Sequence, residues 1–165
     1  MDYSVVVPVY NSDASLEILY DEIAVFFNQI NASYEVIFIN DGSITSTYKA
    51  LESIKARYDT VVKVIHLPEN IGQQKALVQG LKHAIGTYAI TIDDDLQHDI
   101  TEVQCMILEA EKGSDLVFGI YKVYGDRPMR ALGSKFLGVV FRILFRTLKE
   151  NRVSAFRLIH HSIYK

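Results

Sequence analysis

The sequence predicts an α/β fold in which helices flank a central, mainly parallel sheet in a Rossmann-like arrangement. Segments rich in β-branched and apolar residues alternate along the chain with segments of helical period, which is the pattern of parallel strands joined by crossover helices. The 165 residues are 49% hydrophobic and 22% charged, a composition that suits one folded domain with a sizeable core. We therefore expect a single domain over residues 1–165.

The first two βα units each consist of an apolar strand followed by a helical pattern. A valine-rich strand is expected from Tyr3 to Val9, and the helix from Ser15 to Gln29 carries apolar residues at helical spacing. The second unit has a strand from Glu35 to Asn40 and a helix from Ser46 to Tyr58. Consecutive units of this kind form right-handed crossovers and place their strands side by side.

Two further units and a final strand complete the predicted sheet. The predicted segments are the strand Val61 to Leu67, the helix Gln73 to Ala84, the strand Thr87 to Ile92, the helix Thr101 to Lys112 and the strand Leu116 to Gly119. Four βα units in succession are typical of a Rossmann-like half. Ligands of such sheets bind outside the carboxyl ends of the strands.

Polar residues or turn signals follow four of these strands. The most demanding is the run Asp93, Asp94 and Asp95, because like charges about 4 Å apart repel by roughly 4 kcal/mol at an effective dielectric near 20. Side chains alternate along an extended segment, so we expect Asp93 and Asp95 to point the same way and Asp94 the opposite way. Two parallel carboxylates can bind one Mg²⁺ or Mn²⁺ ion, although a solvated acidic turn is the alternative.

Several other classes of site are excluded or disfavoured by the sequence. The single Cys105 excludes an internal disulfide framework and a multi-cysteine metal site, which favours a reducing, cytoplasmic setting. The five histidines lack metal-binding spacing, and no Ser nucleophile elbow, Walker A loop or GxGxxG motif is present. The N-terminal residues do not read as a secretion signal, and no apolar run is long enough to span a membrane.

The strand-end motifs together resemble a family 2 glycosyltransferase of GT-A fold. The segments that carry the resemblance are SVVVPVYN (4–11), EVIFINDGS (35–43), NIGQQKALVQGLKHAIGTY (70–88), TIDDDLQHD (91–99) and SAFRLI (154–159). The chain looks most similar to the polyprenyl-phosphate branch, which includes dolichyl-phosphate mannosyltransferase-like enzymes. Members of this branch generally continue beyond the last motif, so we expect this chain to be short at its C-terminal end by comparison.

The resemblance implies a nucleotide-sugar donor and a role for each matching residue. Pro8, Tyr10 and Asp41 would hold the base, and Asp93 would meet the ribose. Asp95 would hold Mg²⁺ or Mn²⁺ against the diphosphate and act with Arg157 in catalysis. The resemblance also assigns Lys75 and Asp94 to the nucleotide-sugar site, although Asp94 is the spacer between the two parallel carboxylates. It further implies inversion at the sugar C1 by direct displacement.

The acceptor is predicted from the scarcity of acidic residues and the positive charge of residues 127–165. An inverting enzyme that glycosylates a hydroxyl needs a general base, yet residues 127–165 contain one acid, Glu150, beside nine Lys or Arg residues. A polyprenyl phosphate is already ionised and needs no base. The alternatives are a saccharide hydroxyl acceptor, a non-catalytic nucleotide-binding or scaffold subunit and, on fold alone, a nucleotidyltransferase.

The basic and apolar residues 127–165 also suggest how the chain meets its partners. Residues 130–148 have the pattern of an amphipathic helix that lies on an anionic membrane face, or of a helix buried in a core or a homodimer contact. We expect a cytoplasmic protein, peripheral on the cytoplasmic membrane face in the first case. No nucleic-acid partner is expected.

Overall fold

The structure is a computed structural model that describes residues Met1–Gly119 and Ala155–Lys165. The predicted amphipathic segment 130–148, and residues 127–154 of the basic C-terminal part, lie outside the described residues. In the described ranges, none of the helices has the length and apolar character needed to cross a bilayer.

The described residues form an α/β fold with a central six-stranded sheet, which confirms the predicted fold class. The strands are β1 (Tyr3–Val9), β2 (Tyr34–Asp41), β3 (Val62–Leu67), β4 (Tyr88–Thr91), β5 (Leu116–Phe118) and β6 (Arg157–His160). The helices are α1 (Leu16–Gln29), α2 (Thr45–Arg57), α3 (Gln73–His83), α4 (Glu102–Ala110) and a short α5 (His161–Tyr164).

The sheet has the order β3-β2-β1-β4-β6-β5. Strands β1 to β4 pair in parallel, whereas β6 pairs antiparallel with both β4 and β5. The residues of β6 belong to the SAFRLI motif, and this strand was not predicted. The parallel order brings the carboxyl ends of β1, β2 and β4 to one edge of the sheet, because neighbouring parallel strands start and finish together.

Alternation along the strands sends side chains to two separate hydrophobic cores. In β1, Val5 and Val7 belong to the larger core together with residues of α1, α2 and α4. Val6 faces the other side, where Ala76 and Leu77 of α3 form a smaller core with the sheet. The sheet is therefore covered by helices on both faces, as expected for parallel strands that are apolar on both sides.

A buried polar cluster lies at the opposite end of the sheet from these carboxyl ends. The Ser4 hydroxyl donates to Oε1 of Glu35 at 2.6 Å, the Ile85 N–H donates to the same oxygen at 2.9 Å, and Nζ of Lys63 lies 2.6 Å from Oε2. Burial raises the pKa of Glu35, but the hydrogen bonds from Lys63, Ser4 and Ile85 outweigh it and hold that pKa below its usual range. The cluster thus ties β1, β2 and β3 to the loop before β4.

We expect Lys63→Met to lower the free energy of unfolding by about 1–3 kcal/mol at pH 7, because it leaves the buried Glu35 carboxylate without its cation. A carboxyl whose pKa is lowered by folding stabilises the protein above its unfolded pKa of about 4.3, and this contribution is lost as pH falls through the folded value. The difference between variant and wild type should therefore shrink in acid. Urea unfolding at several pH values measures it.

Lys112→Met is the matched control, since it removes an exposed i,i+3 pair with Glu109. Surface pairs of this kind contribute little, so we expect a change of less than about 0.5 kcal/mol. Equal effects of the two substitutions would show that the Glu35 cluster does not stabilise the sheet.

Candidate active site

A cleft of about 320 Å³ opens at the carboxyl ends of β1, β2 and β4. Its lining residues are Pro8, Val9, Tyr10, Asp41, Asn70, Gln73, Asp93, Asp94 and Asp95. The structure thus brings together six of the residues that the sequence analysis placed in the donor site. Four of the nine lining residues are carboxylates, so the cleft is strongly acidic.

Asp41 is buried at the end of β2, with 2% of its surface exposed. Its Oδ1 accepts the Ile71 N–H at 2.7 Å, and its Oδ2 accepts the Gly72 N–H at 3.0 Å. The carboxylate thus holds a loop thirty residues further along the chain. Asp41 therefore positions the loop before α3 as well as lining the cleft.

The turn after Asp41 requires glycine. Gly42 has a φ of +66°, and a Cβ atom there would lie 2.4 Å from the Asn70 nitrogen. An L side chain would be strained by the backbone conformation and would also collide with the main chain of the neighbouring loop. The close approach at Gly42 lets the Asp41 carboxylate reach the N–H groups of Ile71 and Gly72.

Asp93 faces the cleft beside the first residue of α3. Nε2 of Gln73 donates to Oδ1 of Asp93 at 2.5 Å. Burial raises the pKa of Asp93, and the nearby charge of Asp95 raises it further, while His98, Gln73 and Arg157 lower it in part. The net shift is upward, so the site holds more negative charge than its own residues stabilise.

Asp94 contacts other residues than Asp93 does, and both follow the end of β4. Strand β4 ends at Thr91 and the chain turns at Asp94 and Asp95, so the alternation of an extended strand does not apply there. All three carboxylates line the same cleft. Burial raises the pKa of Asp94, although the Ser12 hydroxyl and the N–H groups of Asp94 and Tyr10 lower it in part.

Asp95 is the exposed member of the acidic run. Its Oδ1 accepts the Gln97 N–H at 3.1 Å across Leu96, which has a left-handed φ of 57°. This local turn fixes the direction of the carboxylate while leaving its other oxygen to the cleft. The turn also continues into Asp99, whose carboxylate accepts the N–H and the hydroxyl of Thr101 at the start of α4.

The two predicted cations differ in their placement. Arg157 is the first residue of β6 and pairs in register with Thr91, two residues before Asp93. Its charge helps to lower the pKa of Asp93, so it acts on the acidic cluster electrostatically. Lys75 lies exposed in the first turn of α3 and does not belong to the described residues that line the cleft.

The acidic run fits a hard divalent cation. Mg²⁺ and Mn²⁺ prefer oxygen ligands, and Mg²⁺ is commonly held by one or two carboxylates together with substrate phosphates and water. Oδ2 of Asp94 is buried and has no hydrogen-bond partner within the described residues. Over the same ranges, no cluster of three or more His, Cys, Asp or Glu side chains is arranged as a complete metal site. The donor set therefore suits an ion whose coordination is completed by a substrate.

Sequence reasoning missed three polar residues that support the cleft. Gln73 donates to Asp93, Ser12 interacts with Asp94, and the Ser43 hydroxyl donates to the Val9 carbonyl at 3.3 Å. Each of them bonds to a residue distant in sequence or across a loop. Residue type alone does not predict such contacts. The position of these residues at strand ends and helix starts is a weak indication of them.

The sequence of this chain is similar to those of known proteins. The sequence model of Glycosyl transferase family 2 matches residues 4–163. The undecaprenyl-phosphate 4-deoxy-4-formamido-L-arabinose transferase of Shewanella sediminis is 34% identical over 134 residues, which cover 81% of this chain and 40% of that protein. The chain spans about two fifths of the length of such curated relatives.

Solved structures share the fold. Residues 1–349 of Staphylococcus aureus TarS give a TM-score of 0.60 at 27% identity, covering 76% of this chain and 37% of that chain. Glucosyl-3-phosphoglycerate synthase of Mycobacterium tuberculosis, solved with Mn²⁺, UDP and phosphoglyceric acid, gives a TM-score of 0.66 at 22% identity, covering 98% of this chain and 56% of that chain. At this identity the second likeness concerns the fold alone.

We expect Asp93→Asn to raise the midpoint of thermal unfolding at pH 7 by roughly 2–4 °C. A carboxyl whose pKa is raised by folding contributes stability at low pH and loses it as pH rises through the folded value, so at neutral pH its charge destabilises the empty cleft. The neutral amide removes that charge. Below about pH 4, where the unfolded carboxyl is also protonated, the difference should vanish. Calorimetric melting across pH measures both effects.

Asp59→Asn serves as the control, because Asp59 is an exposed carboxylate between α2 and β3, away from the strand ends that form the cleft. Its melting temperature should match that of wild type. A lower melting temperature for Asp93→Asn at pH 7 would contradict the view that the acidic run is mutually repulsive.

Proposed function

The chain belongs to glycosyl transferase family 2, and on this premise we propose that it moves a sugar from a UDP- or GDP-sugar to a polyprenyl phosphate, with inversion at the sugar C1 and in a metal-dependent reaction. The observation that carries the proposal is the acidic run Asp93 to Asp95 in a cleft that also contains Asp41 and Tyr10. A cleft of this charge selects against a bare anionic diphosphate and in favour of one neutralised by a cation.

The donor side of the proposal assigns the cleft residues to parts of a nucleotide sugar. Pro8, Tyr10 and Asp41 lie at the ends of β1 and β2 and would hold the base. Asp93 would meet the ribose, with its carboxylate already oriented by Gln73. The M. tuberculosis neighbour was solved with UDP and Mn²⁺, which supports a donor of this class. Lys75 would reach the donor only from the rim of the cleft.

Asp95, with Asp93 and Asp94 beside it, would hold Mg²⁺ or Mn²⁺. When bound, such an ion stabilises the negative charge that develops on the leaving diphosphate. The residues of the chain supply the rest: Asp41 and Gly42 fix the loop near the base, Gln73 orients Asp93, and Gln97 fixes the direction of Asp95. Binding a cation would also relieve the repulsion that raises the pKa of Asp93.

The acceptor side rests on the relatives and on the sequence beyond the acidic run. The S. sediminis relative is an undecaprenyl-phosphate sugar transferase by name. A phosphate acceptor is ionised at neutral pH and attacks C1 without a general base, which agrees with the single acid in residues 127–165. Arg157, whose charge reaches the acidic cluster, would attract the acceptor phosphate as a cation beside the cleft.

We also propose that residues 130–148 make a peripheral membrane contact or a homodimer contact. A basic amphipathic segment would attract the protein to the anionic cytoplasmic membrane face, where lipid-linked acceptors are found. The names of the relatives favour this arrangement, since undecaprenyl phosphate is a membrane lipid.

We expect UDP or GDP to bind in the presence of Mn²⁺, and Asp95→Ala to weaken this binding at least tenfold, which corresponds to about 1.4 kcal/mol. The physical reason is the loss of the exposed carboxylate that would share the ion with the diphosphate. Isothermal titration calorimetry with and without Mn²⁺ measures the effect, and Asp59→Ala is the control. Unchanged affinity in Asp95→Ala would remove the acidic run from the donor site.

The acceptor is tested with radiolabelled nucleotide sugars and undecaprenyl phosphate in detergent or vesicles. We expect label in the organic-extractable phospholipid. Label on a water-soluble oligosaccharide would instead support a saccharide hydroxyl acceptor, and nucleotide binding without transfer or donor hydrolysis would support a non-catalytic subunit.

A further inference from the structure

Three side chains from α2, β3 and β2 form a hydrogen-bonded triad next to the cleft. Oε1 of Glu52 lies 2.9 Å from Nε2 of His66, and Nδ1 of His66 lies 2.9 Å from Nδ2 of Asn40. The ring of Tyr48 stacks on that of His66 with 4.1 Å between centroids. None of Glu52, His66 and Asn40 is a lining residue of the cleft, so the triad does not contact the cleft directly.

A single backbone group fixes the direction of every hydrogen bond in the triad. The Ser43 N–H donates to Oδ1 of Asn40 at 3.0 Å, so the other end of the Asn40 amide is the NH₂ donor that faces His66. Nδ1 of His66 then accepts, and the N–H that faces Glu52 is on Nε2. That N–H donates to the Glu52 carboxylate. The hydrogen bonds from Asn40 to Glu52 are thus consistent with one tautomer.

The triad continues directly into the loops that form the cleft. Asn40 precedes Asp41 and receives the Ser43 N–H, and the Ser43 hydroxyl donates to the Val9 carbonyl at 3.3 Å. The same hydroxyl accepts the Asn11 N–H at 3.1 Å, and the Asn11 side chain accepts the Ile44 N–H at 3.0 Å. The loops after β1 and β2 are therefore joined by hydrogen bonds, two of which involve the Ser43 hydroxyl, and the Ser43 N–H is bound by Asn40.

We propose that Glu52, His66 and Asn40 are positioning residues for nucleotide recognition, because they fix the Ser43 turn that joins the two loops beside the base. The choice of a nucleotide as ligand rests on the proposed function, whereas the geometry of the triad does not depend on that function. Glu52 holds the His66 ring in the tautomer that accepts from Asn40. Asn40 in turn presents its carbonyl oxygen to Ser43 and keeps the residues around Asp41 and Tyr10 in register.

His66→Phe is the principal test, since it keeps an aromatic ring against Tyr48 and removes both ring nitrogens. We expect Mn²⁺-dependent affinity for UDP or GDP to fall roughly three- to tenfold, the effect of losing about one net hydrogen bond. The apparent KM for the donor should rise by a similar factor with little change in kcat. Glu52→Ala should follow His66→Phe, and Glu52→Gln, which retains an acceptor oxygen, should stay within about twofold of wild type.

Lys55→Ala is the matched control, because Lys55 is an exposed residue whose Nζ lies 3.8 Å from the same Glu52 oxygen. It should leave nucleotide affinity unchanged. Thermal melting of every variant separates loss of the fold from loss of positioning, and a measurement at a temperature where all variants are folded keeps the comparison valid. Wild-type affinity in both His66→Phe and Glu52→Ala would overturn the proposal.

Amide hydrogen exchange tests the triad without any ligand. We expect the Ser43 and Asn11 amides to exchange about fivefold faster or more in His66→Phe, while amides in the middle of β1 and β2 keep their rates. If wild-type protein binds neither UDP nor GDP, the proposed function fails, and these exchange rates still decide the role of the triad. Unchanged exchange at both Ser43 and Asn11 would overturn it.

Discussion

The Asp41 carboxylate is the contact on which the arrangement of the cleft depends. This one buried side chain accepts hydrogen bonds from two backbone N–H groups of the loop before α3. It thereby joins the second and third βα units at the carboxyl ends of their strands. Gly42 makes this junction sterically feasible. Through it, the start of α3 is fixed, and Gln73 at that start reaches Asp93 on the far side of the cleft. A short series of contacts thus connects three strand ends.

The acidic run imposes an electrostatic constraint of the opposite kind. Its carboxylates share one cleft, and burial together with mutual repulsion raises the pKa of Asp93. The protein tolerates this because rigid neighbours hold the backbone: the core of β4 precedes the run and α4 follows it. Strain of this sort is typical of sites whose binding partner supplies the missing charge. Stability and ligand affinity therefore make opposing demands on the same residues.

Elements that short-range patterns determine were predicted correctly from the sequence. The bounds of β1 agree with prediction, and the other four predicted strands and all four predicted helices were located correctly in order. Features that depend on long-range contacts were not predicted. Strand β6 was missed because it has four residues, too few to show a periodic pattern. It follows β5 in the sequence but lies between β4 and β5 in the sheet. A turn replaces the strand at Asp94 and Asp95, and the partners of Asp41 and His66 lie 30 and 26 residues away.

The position of β6 has a consequence for how the molecule is assembled during synthesis. Strands β1 to β4 can pair as soon as they leave the ribosome, but among the described residues β5 pairs only with β6, which is translated nearly forty residues later. Until β6 inserts, β4 presents an open edge that can pair with other chains. Because Arg157 is the first residue of β6, the cation beside the acidic run arrives in the same step that closes this edge. Closure of the β4 edge therefore coincides with the placement of a positive charge that lowers the pKa of Asp93 in part.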